Sequence, residues 1–366
     1  MRITLLLAFT CSLFSRAQVT ELKVSSDKAQ DRIGINQSSY FKKTPYVNNF
    51  IGTGGHGHTY PGASAPFGMI QLSPDTRPDG WDGCSGYHYS DSIIYGFSHT
   101  HLSGTGVPDY CDLLIMPQVG KPYIDPLYKS EKGFGSTFSH TNEDASPGYY
   151  EVHLDRGDID VRLTVSERAG YHEYTFNEEK GKKFIIIDLD HRDKLLEGDI
   201  ELIDKQTIQG IRVSQAWANE QHFYFHIKLN TPYQKARYFK SKGRNKLLLI
   251  FPKSTSKLDL KVGISAVDME GAKLNLEKEI INWNFDEQKN RTDALWNREL
   301  DKIEFVSTDK EVVTNFYTAL YHSNLNPNLF NDFDGRYRGR DNEIHQLDIE
   351  EGNNYTVFSL WDTYRA

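Results

Sequence analysis

From Thr44 to about Val267 apolar and polar positions alternate along the chain with a period of two. Ile159, Val161, Leu163 and Val165 alternate with Asp160, Arg162 and Thr164, which buries one face of a strand. Phe223, Phe225, Ile227 and Leu229 repeat the pattern, as do Leu258, Leu260, Val262 and Ile264. Phe184 to Leu189 and Leu247 to Phe251 are unbroken apolar runs, expected of strands in the middle of a sandwich. Many strands at short spacing with almost no helical period predict a large β-sandwich.

The period changes after Asp268. Leu276, Ile280, Phe285, Leu295, Trp296 and Leu300 fall among many charges, predicting one or two helices that link domains. Thr308 begins a capping box with Glu311, and Val313, Phe316, Tyr317 and Leu320 follow at helical spacing. Asp334-Gly335 reads as a hairpin turn between short strands. Ser359 is placed to cap a further helix with Asp362 at its third position, yet Ala366 follows closely. A helix so placed has no body to pack, so these residues are expected to be the front part of a longer protein. The expected boundaries are an export signal over 1–17, a lead-in tail over 18–43, the sandwich over 44–267, a helical linker over 268–305, and the start of a second domain over 306–366.

Composition sharpens this in two ways. Aromatic residues make up 13% of the 366 residues, with 21 Tyr and 20 Phe, which favours a β-rich fold and carbohydrate-facing surfaces. The formal net charge is −8 with no basic block, which argues against nucleic acid as a partner. The opening MRITLLLAFTCSLFSRAQ has Arg2, an apolar run from Ile3 to Phe14 and a small-residue exit ending at Ala17, the pattern of a cleaved export signal. The run is too short to span a bilayer, and no later stretch looks transmembrane. An exported protein, periplasmic or extracellular, is expected. Cys84 and Cys111 then remain, either bridged or as buried free thiols.

Candidate chemistry concentrates between Asn48 and Asp112, where glycines recur every few residues among His56, His58, His88, His99 and His101. Trp81, Tyr87, Tyr89 and Tyr110 stand with them. Glycine at that density marks backbone forced through turns or brought close to something. A flat aromatic face beside hydrogen-bonding side chains suits a sugar ring. The GTGGHG run lacks the Lys-Ser/Thr ending of a phosphate loop and a helix to open, so a phosphate site, which a glycoside phosphorylase would need, is not supported.

The run from Tyr46 to Asp112, with GTGGHGHTYPGASAPFGM, GWDGCSGYHYSD and GFSHTHLSGTG, resembles the opening of glycoside hydrolase family 92, largely bacterial exo-acting α-mannosidases. The closing YTVFSLWDTYRA from Tyr355 is similar to the family's entry into its second domain. The resemblance covers essentially all of the mature chain. It implies a mainly β fold: a large N-terminal β-sandwich, a helical linker, and the truncated beginning of an (α/α)6 barrel. It also implies calcium-dependent, inverting hydrolysis of mannose-containing glycans, in which one carboxylic acid protonates the leaving oxygen and a carboxylate activates water across the ring. In the family the acid, the base and most calcium ligands come from the barrel. They are expected beyond Ala366, so no catalytic residue is assigned here and the metal ligands are unknown.

Recognition residues can be carried over. Trp81 matches a family tryptophan that walls the sugar site; the alternative is an indole buried in the sandwich. Asp362 matches an aspartate that hydrogen-bonds the terminal mannose, the alternative being a carboxylate that stabilises its own helix. Arg365 is placed to orient Asp362, or is a plain surface arginine. His99 and His101 share a face if GFSHTHLS is a strand, and either meet substrate or make loop hydrogen bonds. His56 and His58, with Tyr60 alongside, are read in the same way. A metal held by these histidines alone is not expected, because no carboxylate or cysteine has supporting spacing. Glu343 and Asp348 lie in a charged, solvated run. After His101, SGTGVPD replaces an aromatic-bearing segment of some family members, which leaves the mannosidic linkage open. The runner-up reading is a non-catalytic carbohydrate-binding β-sandwich module.

Overall fold

The stretches of period-two alternation are strands, and they assemble into two antiparallel sheets. The computed structural model describes residues 23–24, 42–128, 132–177, 181–239, 245–348, 350 and 352–357. The export signal, most of the lead-in tail, and Ser359, Asp362 and Arg365 lie outside these described residues. One sheet has eight strands, in the order Lys194–Leu202, Thr207–Gln215, Gln221–Leu229, Lys257–Ser265, Ala169–Phe176, Ile159–Val165, Tyr149–Leu154, Glu143–Ser146. The other has seven, in the order Lys235–Phe239, Lys246–Phe251, Lys183–Asp188, Leu114–Val119, Gly96–Ser98, Gln71–Asp75, Ala63–Ser64. Ile159, Val161, Leu163 and Val165 of the first and Ile185 and Leu249 of the second belong to one buried cluster. Two sheets, each with one apolar face turned to the other, make the expected sandwich.

Lys257–Ser265 alternates in sequence yet is buried on both faces. The first helix, α1 (Met269–Glu279), packs on that strand and on Gln221–Leu229, so residues of both strand faces are buried. Asp268 caps α1, accepting a hydrogen bond from the Gly271 N–H at 2.6 Å. The approach is close enough that a Cβ on Gly263 would lie 2.1 Å from the Ala272 carbonyl oxygen. Only glycine fits there without moving the helix.

Helix α2 (Phe285–Leu300) starts at Asn284, whose side chain accepts from the Glu287 N–H at 3.1 Å. Its Trp296 is fully buried and donates Nε1–H to the Ser64 carbonyl at 2.6 Å, tying the helix to the first strand of the seven-stranded sheet. Helix α3 (Lys310–Ser323) begins one residue later than the sequence suggested. Asp309, not Thr308, is the cap: its carboxylate accepts from the Glu311 N–H at 2.9 Å and also from that of Val312. An anionic cap also gains from the helix dipole, which a threonine does not. Asp334-Gly335 is a turn, with Gly335 at φ 86° and its N–H on the Asp332 carbonyl at 2.9 Å, but it leads into the hairpin rather than closing it. The hairpin pairs Arg336–Arg338 with Ile344–Gln346 and closes through the Asn342 N–H on the Gly339 carbonyl at 3.0 Å. Among the described residues no helix is long and apolar enough to cross a membrane.

Candidate functional site

The glycine-spaced stretch is held at both ends. At its start, Thr44–Tyr46 forms a 3-10 turn, with the Thr44 hydroxyl on Asp293 of α2 at 2.7 Å and the Lys43 N–H on Asn297 at 2.6 Å. At its end the carboxylate of Asp112, fully buried, pairs with Arg212 of the eight-stranded sheet and accepts from Thr100 at 2.7 Å and Gln221 at 2.6 Å. Between them the chain crosses itself: a Cβ on Gly57 would fall 1.9 Å from the Gly52 carbonyl oxygen. That crossing leaves His56 outside, its side chain 79% exposed, and turns His58 inward at φ 53°. His88 braces the loop. The Ser90 N–H meets its Nδ1 at 3.2 Å, so Nε2 carries the proton and donates to the Gly55 carbonyl at 3.1 Å.

Trp81 stands on the next loop, in a 3-10 turn that begins after Gly80 at φ 78°. Its indole is 61% exposed. His58 meets it edge-on, with ring centroids 4.9 Å apart and planes at 74°, and Gly106 lies directly against the ring. Asp82, the next residue, accepts from His56 Nδ1 at 2.6 Å and has His58 Nε2 at 3.7 Å. That hydrogen bond from His56 holds the Asp82 carboxyl below its ordinary value. On its other side Trp81 lines a hollow of about 450 Å³ with Arg77, Asp79, Asp91, Tyr95 and Tyr128. Arg77 is fixed across its rim by Nε–H on Asp91 at 3.1 Å. The structure thus rejects a core role for Trp81 and offers an open aromatic wall with anionic and cationic groups beside it.

His99, His101 and Tyr60 are different. The strand ends at Ser98, and among the described residues the two imidazoles share no hydrogen-bond partner. His99 is fully buried and donates Nδ1–H to the Leu113 carbonyl at 2.8 Å. Its Nε2 then accepts from His172 Nε2 at 3.0 Å, and His172 Nδ1 accepts from the Tyr174 hydroxyl at 2.9 Å. This neutral relay joins the two sides of the sandwich, and burial pulls His99 down to about 4 and His172 well below its ordinary value. His101, 3% exposed, donates Nδ1–H to the Gln71 carbonyl at 2.9 Å and points Nε2 at Asp75 at 3.3 Å. Tyr60, 1% exposed, bonds Ser64 at 3.1 Å with its ring 5.4 Å from that of His101. These three side chains are therefore packed behind the site and do not reach a ligand, a correction to their expected substrate role. Burying a polar group is costly unless it is hydrogen-bonded, and each has found its partners in the core. His58 is also buried but borders the exposed ring. Asp362 and Arg365 lie outside the described residues.

Burial alone would discharge His101. The Cys111 sulfur and the Asp75 carboxylate oppose it, and the imidazole is pushed up to about 10. Asp75 is held well below the usual carboxylate range: burial raises it, but His101, followed by His191, outweighs that. Because burial itself pushes the Cys111 thiol up, the charge that faces His101 at neutral pH is that of Asp75. Cys84 and Cys111 are both free and buried. The Arg192 guanidinium lies 3.2 Å from the Cys111 sulfur.

Two sets of neighbouring ligand-bearing groups occur among the described residues: His56, His58 and Asp82, and Asp75, His101 and Cys111. Calcium takes six to eight oxygen ligands, and each set supplies one carboxylate beside nitrogen or sulfur. Neither fits calcium. The carboxylate that the sequence reading missed is Asp82, which chain spacing hides because it reaches the histidines from a separate loop. Its one visible signal is its place beside Trp81 in GWDG.

Known proteins share this fold. Residues 46–265 match the family model "Glycosyl hydrolase family 92 N-terminal domain", and residues 271–366 match "Glycosyl hydrolase family 92 catalytic domain". A family GH92 alpha-mannosidase from Bacteroides thetaiotaomicron, also solved in complex with mannoimidazole, superposes with a TM-score of 0.83 at 36% identity, over 89% of this chain and 46% of its own. A GH92 inverting mannosidase from Bacteroides thetaiotaomicron VPI-5482 superposes with a TM-score of 0.77 at 25% identity, over 90% of this chain and 46% of its own. An uncharacterized secreted glycosidase of Arthroderma benhamiae is 30% identical over 325 residues, 77% of this chain and 41% of the relative. The chain thus spans less than half the length of each of these relatives.

Proposed function

The chain belongs to glycosyl hydrolase family 92, and from that premise we propose that it supplies the sandwich-borne wall of an exported, exo-acting, inverting α-mannosidase that releases terminal mannose from glycans. The observation that carries the reading is the exposed indole of Trp81, held between His58 and Gly106 in a chain that superposes on alpha-mannosidases. A pyranose has one face of axial hydrogens, and it stacks on an indole while its hydroxyls meet polar groups at the ring's edge. Here Asp82, His56 and Arg77 stand near that edge. Asp362 and Arg365 are proposed to complete the contacts to the terminal sugar. As the family resemblance implies, the catalytic acid and base are proposed to lie in the part of the family's length that these residues do not span; Glu343 and Asp348 are exposed.

The donor sets among the described residues do not fit calcium, so the calcium that the family resemblance implies would take its ligands from other residues.

Hydrolysis of an aryl α-mannoside by the protein extended over the family's full length, followed by nuclear magnetic resonance of the fresh sugar, tests the reading. Release of mannose alone, appearing first as the β anomer and lost in Trp81→Ala, is the expected result. An α anomer as first product removes the inverting mechanism. Mannoside binding without any turnover, even when the protein extends over the family's full length, favours the carbohydrate-binding module.

A further inference from the structure

The geometry points to a divalent transition-metal site of the zinc type, formed by His56, His58 and Asp82 at the edge of the Trp81 indole. One ligand atom from each of the three residues lies within 4.8 Å of the others. Bonds of about 2.0–2.1 Å at a tetrahedral centre separate neighbouring ligand atoms by about 3.3 Å. His58 Nε2 and Asp82 Oδ1, at 3.7 Å, are already near that spacing. His56 Nδ1, at 2.6 Å from the same oxygen, has to swing out by about 0.7 Å. Its side chain is 79% exposed and free to do so.

The second observation is His58 itself. Its side chain is 6% exposed, and its Nε2 has no hydrogen-bond partner among the described residues although it is aimed into the cluster. A buried imidazole nitrogen without a partner costs free energy. The backbone that places it there is at φ 53°, a left-handed conformation that a non-glycine residue adopts only at a cost in free energy. The Gly104 N–H on the His58 carbonyl at 2.8 Å and the crossing of Gly57 over Gly52 hold it in place. A metal ion would supply the missing partner. A bare ion pair between His56 and Asp82 explains neither the orphaned nitrogen nor the strained residue that carries it.

Two imidazoles and one carboxylate are the donors of zinc and its neighbours, not of calcium. The other neighbouring set does not share the case. Asp75, His101 and Cys111 are fully enclosed, and the Arg192 guanidinium at 3.2 Å from the Cys111 sulfur occupies the place of a cation. At His56, His58 and Asp82 three protein ligands would leave one position of a tetrahedral ion open. That position would take water or an oxygen of whatever lies on Trp81. On binding, the proton now shared by His56 and Asp82 leaves Nδ1.

Metal-stripped protein is titrated with Zn2+ by calorimetry, with no sugar present, so the outcome is independent of the mannosidase reading. One equivalent should bind, and both His56→Ala and Asp82→Asn should weaken it by about tenfold or more, with thermal unfolding of the metal-free forms little changed. Co2+ in place of Zn2+ should give visible d–d absorption that both variants lose, and excess Ca2+ should not compete. Absence of stoichiometric Zn2+ binding overturns the site. So does Zn2+ binding that is unaltered in both variants, or displacement by Ca2+ at similar concentration.

Discussion

Gly106 lies so close to Trp81 that a Cβ on it would stand 2.3 Å from the indole Cη2. The ring is therefore backed by the Gly106 peptide as well as by His58, and a side chain at position 106 would displace it. Gly106 does not require a positive φ, so alanine is conformationally acceptable there. Because the indole is mostly exposed, it can move aside. Gly106→Ala should consequently tilt the ring without harming the fold, with stability within about 0.5 kcal/mol of the parent. Titration with a methyl α-mannoside should show a loss approaching that of Trp81→Ala, about 1–3 kcal/mol. A Gly106→Ala protein that binds as tightly as the parent would show that the free face of the ring carries no sugar.

The sandwich was legible because period-two alternation is a direct consequence of burying one strand face. Ile159 to Val165 and Phe223 to Leu229 show it without interruption. The strand Lys257–Ser265 was equally visible, but the helix covering its far face was foreshadowed only by the apolar residues scattered from Leu276 onward. The histidines were the weak point. His99 and His101 look like a ligand pair in sequence, yet each is satisfied in the core by a partner far along the chain, His172 in one case and Asp75 in the other. Polar residues that bond across a sandwich leave no local pattern. The same holds for Asp82, which meets His56 and His58 only once two glycine-bearing loops have folded against each other.

Gly263 gives a direct test of how α1 is seated. A methyl group there meets the Ala272 carbonyl oxygen at 2.1 Å and Leu276 Cβ at 2.7 Å, backbone and stem atoms that cannot rotate away. Gly263→Ala should lower stability by about 1–3 kcal/mol, the range for overpacking a filled interface. Urea unfolding gives the number. No loss would mean that the helix rides loosely on the sheet.

His101 and Asp75 make stability depend on pH in a defined window. His101 is raised in the folded state above its ordinary value of about 6.5, so its contribution is complete below about pH 6.5 and is lost as pH rises through its folded value. Asp75 is depressed, so its contribution is present above about pH 4 and is lost as pH falls through its folded value. Cys111, His191 and Tyr60 also face this pair, and the Cys111 thiol stays protonated over most of the window. Unfolding free energy should therefore decline between about pH 7 and 10 by an amount on the order of a few kcal/mol. His101→Gln should be less stable at pH 6 and should lose most of that alkaline decline. Parallel pH profiles for the two proteins would mean that the imidazole is neutral in the fold.

Arg212 and Asp112 decide whether the far end of the glycine-spaced stretch stays on the eight-stranded sheet. Both are buried, and Arg212 also donates to the carbonyls of Leu189, at 2.9 Å, and Arg192. Burial raises Asp112, with Arg212 as the main opposing charge. Arg212→Met removes that charge and leaves the carboxylate enclosed, which should cost about 3–5 kcal/mol. Much of this cost comes from the stranded anion rather than from the lost attraction. Asp112 would then take up a proton more readily, so the loss should be smaller at pH 5 than at pH 8. Adding Asp112→Asn to Arg212→Met should recover part of the stability, because the amide keeps an acceptor for Thr100 and carries no charge. Equal losses at both pH values, with no recovery in the double variant, would assign the cost to packing and to the two orphaned carbonyls instead of to the charge on Asp112.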